Sequence, residues 1–476
     1  MTGVVTSSQT DLPQNATYPE THGVKTLLGD PKKAILKLSI PMIVAMVVQT
    51  LYTLMDTIWV SGLGPDALAA VGFVFPFIFM GMALATGIGI GGGSAISRKI
   101  GQGDKAGADL VALHTLIISL AIAVCFSVLF FLFPEPIFFI LGAGEVTVLA
   151  AIYARIIALG TVITFFTLIA TAVLRSEGDA QRSMYAMVFG GVLNAVLDPI
   201  FIYTFGLGVA GAAWATLLSM AVSAVLLFYW LFLKKDTYIS LSFKGFHFQK
   251  DVVWDIVQVG FPASVMQLSM AIMMIIINSI LTFVGGTDGV AVFRAGWSIV
   301  TIATMPLLGM ATAVVSVSGA MFGAQSYVKV NEAYIYAIKL GVVLEIILAA
   351  ATVVLAPYIA LLFTFSADAA RLTDGITNFL HIIFIFYPAS AFGIFSSAVF
   401  QGMGKGFNSL LVTLIRTIFL VAPLAWIFST MITYDITGVW WGLVTGNCIA
   451  AVIGFVWARQ SIHRLINRQQ MNTTAS

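Results

Sequence analysis

Three carboxylates stand inside long apolar runs of this chain: Asp56, Asp198 and Glu345. An ionisable group in hydrocarbon is costly, and such groups mark ion or proton paths or buried pairs. Gln49, Thr53 and Asp56 recur at i, i+4 and i+7, so they share one helix face, and that face should look at a cavity rather than lipid. Pro41, earlier in the same run, removes a backbone hydrogen bond and is the expected bend of this helix. Asn194 lies one turn before Asp198, and Pro199 frees the carbonyl of Ala195. Carboxylate, amide and carbonyl make a set of hard oxygen ligands suited to H⁺ or Na⁺. Depth counted at about 1.5 Å per residue places Tyr153 and Thr216 in the same outer-leaflet layer as the two aspartates. The expected cation site is therefore Asp56, Asn194, Asp198, Thr216 and Tyr153, with Na⁺ admissible at the first four. For Tyr153 and Thr216, ordinary packing within the bundle is the competing reading. Glu345 and Arg416 enter from the same side to comparable depth, as a structural ion pair or a second coupling site. Met266, Met270, Met273 and Met274 share a face, which suits an adaptable apolar substrate surface or plain helix packing.

No covalent chemistry is visible. There is no nucleophile with a paired base, no HExxH and no phosphate loop. Gly87-Ile88-Gly89-Ile90-Gly91-Gly92 matches the dinucleotide fingerprint only by letters, because no strand precedes it; small residues for close helix packing explain it. We expect neither an enzyme nor a cofactor. Cys125 and Cys448 have no metal or disulfide spacing and read as small core residues.

The elements that must position these groups follow from composition. Of 476 residues, 59% are hydrophobic and 9% are charged. Soluble domains carry roughly 25% charged residues, so a soluble enzyme and a disordered chain are excluded. The net charge of +2 offers no basic field for nucleic acid. Spanning helices need about 20 apolar residues, and apolar runs of that order recur about twelve times between residues 34 and 459. The expected fold is an all-α polytopic membrane protein with twelve transmembrane helices in two pseudo-symmetric six-helix bundles.

The 23 basic residues concentrate in both tails and in alternate gaps between runs, which makes those segments cytoplasmic. Pro41 matches Pro262, Asp66 matches Asp288, and Gly211-Ala212-Ala213-Trp214 matches Gly438-Val439-Trp440-Trp441, a repeat of roughly 220 residues between parallel halves. Expected boundaries are an N-terminal tail at 1–33, an N-lobe at 34–233, a basic linker at 234–250, a C-lobe at 251–460 and a C-terminal tail at 461–476. In the second half, Leu424 stands opposite Asp198, and Ile277 or Asn278 opposite Asp56, so the carboxylate pair belongs to the first half alone.

The chain resembles the multidrug and toxic compound extrusion family. Pro41-Met42-Ile43, Leu54-Met55-Asp56-Thr57-Ile58-Trp59-Val60, Leu174-Arg175-Ser176-Glu177-Gly178-Asp179 and Asn194-Ala195-Val196-Leu197-Asp198-Pro199 carry the resemblance, over about residues 30–465. It is similar to the DinF-like branch, which implies a V-shaped fold, a cation site in the N-lobe at Asp56, Asn194, Asp198, Thr216 and Tyr153, and a first helix hinged near Pro41. The glutamate in the seventh apolar run and the aspartate in the tenth that mark another branch are not seen here. The resemblance implies a plasma-membrane antiporter, both termini cytoplasmic, that exports amphiphilic drug-like cations in exchange for H⁺ or Na⁺. Its partners would be those small molecules and the lipid bilayer, with no nucleic acid, and two fused halves suit a monomer. Similar proteins of the wider superfamily flip lipid or lipid-linked oligosaccharide. A cavity for that cargo should be basic, and only Arg155, Arg294 and Arg416 are available.

Overall fold

The computed structural model describes residues 21–234, 236–243, 246–364 and 369–475. Residues 1–20 of the expected tail, and Lys235 and Lys244 of the linker, lie outside them. The elements are α1 (His22–Leu28), α2 (Pro31–Ser61), α3 (Pro65–Gln102), α4 (Lys105–Leu132), α5 (Pro134–Ile140), α6 (Thr147–Ser176), α7 (Ala180–Pro199) and α8 (Gly208–Phe228) in the first half. The second half has α9 (Lys250–Gly323), α10 (Tyr327–Phe363), α11 (Thr373–Ile383), α12 (Phe386–Gly402), α13 (Gly406–Leu414), α14 (Ala422–Ile427) and α15 (Ile436–Ala475).

Helix starts follow sequence chemistry. Asp30 accepts from the amides of Lys32 and Lys33 at 2.8 and 3.1 Å, with Pro31 in the first turn. Asp104 caps α4 through the Gly107 amide at 2.8 Å, and Asp179 caps α7 through Arg182 at 3.1 Å. Gly103 and Gly178, immediately before these caps, adopt φ of 77° and 89°, the left-handed region that glycine enters freely.

Among the described residues, ten helices are long and apolar enough to cross a membrane, or eleven if α11 and α12, bent by 52°, form one broken span. The 74-residue α9 contains two of the expected runs. Its backbone leaves helical geometry at Gly286, with φ 60° and ψ −153°. Both ends of α9 meet Arg98: Asp255 pairs with its guanidinium at 2.6 Å, and Gly323 stands against its backbone. The helix therefore doubles back at Gly286, and counting its two arms separately yields the twelve spans.

The cores show how the halves meet. At the end that carries both termini, one cluster joins Leu27, Ile35 and Ile96 of the first half to Val317, Phe400 and Ile462 of the second. At the other end the cores separate. Val60, Val74, Phe138, Ile202 and Val209 pack only among the first half. Ile277, Phe293, Phe379 and Trp440 pack only among the second. The result is a V whose apex is the terminus-bearing end.

That apex is tied by small residues and a few polar groups. A Cβ on Gly87 would sit 2.7 Å from the Gly260 carbonyl oxygen, and one on Gly91 2.7 Å from the Gly260 amide nitrogen. The glycine-rich stretch is thus the close-packing surface between the lobes. Ser94 donates to the Gln401 carbonyl at 2.5 Å, and Arg98 donates to Ser94 as well as Asp255.

The structure adds local form to three of the expected segments. The stretch before residue 33 contains α1, whose Val24 and Leu27 are buried in the shared core. The stretch after 460 continues α15 to Ala475, because no proline or glycine interrupts it. Within the linker, Tyr238 and Ile239 are fully buried. Glu177 accepts from the Ile239 amide at 2.8 Å, Asp109 from Ser240 at 2.8 Å, and His114 Nε2 from Gln249 at 3.1 Å. Burial pushes the Glu177 carboxyl up to about 8.

Candidate functional site

Asp198 is the penultimate residue of α7, and after Pro199 the chain passes into a π-turn at Ile200–Thr204. Its side chain has 0% exposure. Asn194 donates from Nδ2 to Asp198 Oδ1 at 3.1 Å and also lies 3.4 Å from Thr216 Oγ1 on α8. The Thr216 hydroxyl donates to the Ala212 carbonyl at 3.0 Å, so its oxygen faces Asn194 as an acceptor. Asp198 Oδ2 is buried with no hydrogen-bond partner. An unsatisfied buried carboxylate oxygen is costly and calls for an occupant or a role.

Asp56 on α2 is half-buried, and its charge acts on Asp198. Tyr153 on α6 is 6% exposed, packed with Val60, Ile202 and Val209, and the fields of both aspartates reach its phenol. Four helices thus bring five polar residues together. Asp198, Asn194 and Thr216 are directly bonded, whereas Asp56 and Tyr153 are electrostatic neighbours.

Residues that sequence reasoning passed over bring these helices into place. Gly191 on α7 faces Tyr52 of α2, where a Cβ would stand 2.8 Å from the ring. Ser223 of α8 reaches across to the Ala186 carbonyl of α7 at 3.1 Å, beside Gly190. Tyr203, inside the π-turn, donates to the Trp59 carbonyl at 2.6 Å and pins the outer end of α2. The adjacent glycines at 190 and 191, one turn before Asn194, were the available signal.

The remaining expected residues separate. Pro41 is buried within α2, which runs as one helix from Pro31 to Ser61. Gln49 is half-buried. Thr53 is exposed, its hydroxyl donating to the Gln49 carbonyl at 2.9 Å. Met266 receives the Ser409 hydroxyl on its sulfur at 3.3 Å, and Met270 is 38% exposed. Met273 departs from expectation. It is 4% exposed and packs in the second-half core with Ile277 and Val300, because a residue three positions on stands about 60° round the helix from Met270, on the flank that meets the lobe's own core. Glu345 and Arg416 form no ion pair: Arg416 Nη2 approaches the Met270 sulfur at 3.8 Å, and both Glu345 oxygens lack partners. Among the described residues, no group of three or more His, Cys, Asp and Glu could hold a metal.

The geometry agrees with what the chain is similar to. The MatE family model matches residues 41–200 and again 262–427, starting at the two repeat-related prolines. The multidrug export protein MepA of Staphylococcus saprophyticus is 25% identical over 432 residues, covering 88% of this chain and 92% of its own. A FAD transporter of Shewanella oneidensis is 25% identical over 399 residues, covering 83% and 87%. A solved MOP superfamily transporter from Pyrococcus furiosus, whose description reports a binding pocket of reverse polarity, is 47% identical with a TM-score of 0.90, covering 94% and 99%. Twelve apolar spans in a V of two repeated halves, with this match along most of its length, make the chain a multi-pass membrane protein of the MATE transporter family.

Proposed function

We propose that the protein is a secondary antiporter that exports amphiphilic organic cations and drugs in exchange for H⁺ or Na⁺, loaded at the N-lobe carboxylates. The observation that carries this reading is the unpartnered, fully buried Asp198 oxygen, set beside Asn194 and Thr216 and under the field of Asp56. The basic residues of the terminus-bearing end support a cytoplasmic apex and cytoplasmic termini in the plasma membrane. A V closed at that apex is open outward.

In that state the site takes a cation from outside. Two neighbouring carboxylates in a low dielectric do not both remain ionised without a counter-charge, so uptake is favourable. Neutralising Asp56 changes what holds the outer half of α2. The helix then bends at Pro41, where a backbone bond is already missing. The bend closes the volume facing Gln49, Thr53 and Met270 and displaces the bound drug outward. The lobes then exchange access, and the cation leaves inside. Exchange is obligatory because cation and drug each favour a different shape of α2. Two fused halves supply the complete site within a monomer.

The test is efflux of ethidium or a rhodamine from vesicles under Na⁺ and H⁺ gradients imposed separately. Dye movement under one gradient supports the reading and names the ion. Immobility under both contradicts it.

One observation favours a second reading, in which the cargo is an anionic flavin or lipid-linked phosphate. Of three candidate bases, Arg155 is paired with Glu135 at 2.8 Å and Arg294 is exposed. Arg416 is half-buried beside Met270 and has no acidic partner. FAD uptake into the same vesicles, lost in Arg416→Gln, would place this reading first.

A further inference from the structure

Glu345 occupies the middle of α10 with 0% exposure, and neither carboxylate oxygen accepts a hydrogen bond. Among the described residues, no Lys, Arg or His pairs with it. The Arg416 guanidinium, beyond α13, approaches the Met270 sulfur instead, at 3.8 Å. The titratable group that faces it is the phenol of Tyr387 on α12, itself fully buried. Thr352, two turns along the same face of α10, also borders that phenol.

A structural role gives no account of this carboxyl. It caps nothing, bridges nothing and neutralises nothing. A glutamine or leucine would fill the same space without the cost of burying an ionisable group in hydrocarbon. Na⁺ requires several oxygen ligands, and the donor set that Asn194 and Thr216 provide around Asp198 has no counterpart at Glu345. A proton requires only the carboxyl itself.

The second observation is in the backbone. The span that faces Glu345 is broken: α11 and α12 meet at 52°, directly before Tyr387. Across the break, the Tyr387 amide reaches only the Phe384 carbonyl, at 3.3 Å. Discontinuous helices at mid-membrane leave backbone groups free beside coupling sites, and a break is where a span changes shape. The carboxyl and the joint are therefore neighbours across one helix interface.

We propose that Glu345 is a second proton-carrying site, in the C-lobe, which takes up and releases its proton as the α11–α12 joint beside Tyr387 changes its bend. The inference rests on the transporter reading and extends it. The N-lobe site then sets the exchange with drug, while Glu345 adds a proton to each cycle.

The wild-type protein in lipid vesicles would be treated with dicyclohexylcarbodiimide, which attacks protonated carboxyls in apolar surroundings. The acid O–H adds across one C=N bond, and the adduct rearranges to a stable N-acylurea. Mass spectrometry of the peptide carrying Glu345 is expected to show labelling at neutral pH that falls at alkaline pH. In parallel, protons moved per dye molecule would be counted for wild type, Glu345→Gln and Glu345→Asp. Glu345→Gln is expected to move about one proton fewer per dye while still binding dye, and Glu345→Asp to retain it. An unlabelled Glu345 beside a labelled Asp198, or an unchanged proton count in Glu345→Gln, overturns the proposal. If Glu345→Gln does not fold, the labelling result decides alone. Wild-type dye movement in the same vesicles separates failure of this inference from failure of the transporter reading.

Discussion

The two halves share one architecture but treat their buried acids oppositely. In the first half, Asp198 is held by an amide and lies beside a hydroxyl and a second carboxylate, contributed by different helices. In the second half, Glu345 stands on α10 with no bonded neighbour, and the repeat-related position of Asp198 is Leu424. The contrast teaches that a repeated fold fixes where helices lie, not which helix carries the charge. A dressed carboxylate offers a ligand set for H⁺ or Na⁺. A bare one offers only an acid.

The comparison breaks most visibly at Asp198. Asp198→Asn removes the acid but keeps the shape, and gradient-driven dye efflux is expected to fall by roughly 100-fold, the upper range of a coupling free energy. Efflux near wild type would mean that the dressed site does not couple. Next comes the glycine that lets α2 reach α7. Gly191→Val would press on the Tyr52 ring and cost roughly 1–3 kcal/mol through overpacking. Thermal unfolding in detergent checks it, and Gly72→Ala, where a side chain meets open space, is the control.

A smaller effect separates the bonded hydroxyl from the idle one. Thr216→Val deprives Asn194 of a neighbour and should lower efflux roughly fivefold, the lower range of such couplings. Thr53→Val changes only a bond to its own helix and should leave efflux unchanged. Equal losses would dissolve the distinction between site and stripe.

The smallest effect lies outside the membrane, at Glu177. Its carboxyl is held at about 8 in the folded protein, above its ordinary value of 4.5. The folded state therefore keeps a proton that the unfolded chain has lost, and stability falls as pH rises between those values. Glu177→Gln should remove a slope of at most ~1.4 kcal/mol per pH unit across that window. Parallel melting curves for wild type and variant from pH 5 to about 8 would contradict the assignment.

Much of this was legible in the sequence, for a physical reason. Spans announce themselves because hydrocarbon demands about 20 apolar residues, and polar groups inside them stand out because they are costly. Asp56, Asn194, Asp198, Tyr153 and Thr216 were placed at one depth by counting residues, and the structure brings them into one neighbourhood. Counting gives height along a helix but not the direction a side chain faces across it. For Met273, spacing leaves a substrate surface and plain packing both open, and the structure puts it in the core. Glu345 and Arg416 share a depth yet do not meet. The Arg98–Asp255 clamp joins residues 157 apart in sequence, and nothing local announces it. The π-turn after Pro199 was signalled only as a broken backbone bond, without its form.

The central claim is that the first-half carboxylates couple the gradient to drug movement. It is tested most directly by comparing wild type with Asp56→Asn in the same vesicles, measuring dye efflux under the driving gradient and dye binding without it. The account predicts that Asp56→Asn binds dye as wild type does but no longer moves it in response to the gradient. Gradient-driven efflux in Asp56→Asn equal to wild type would contradict it.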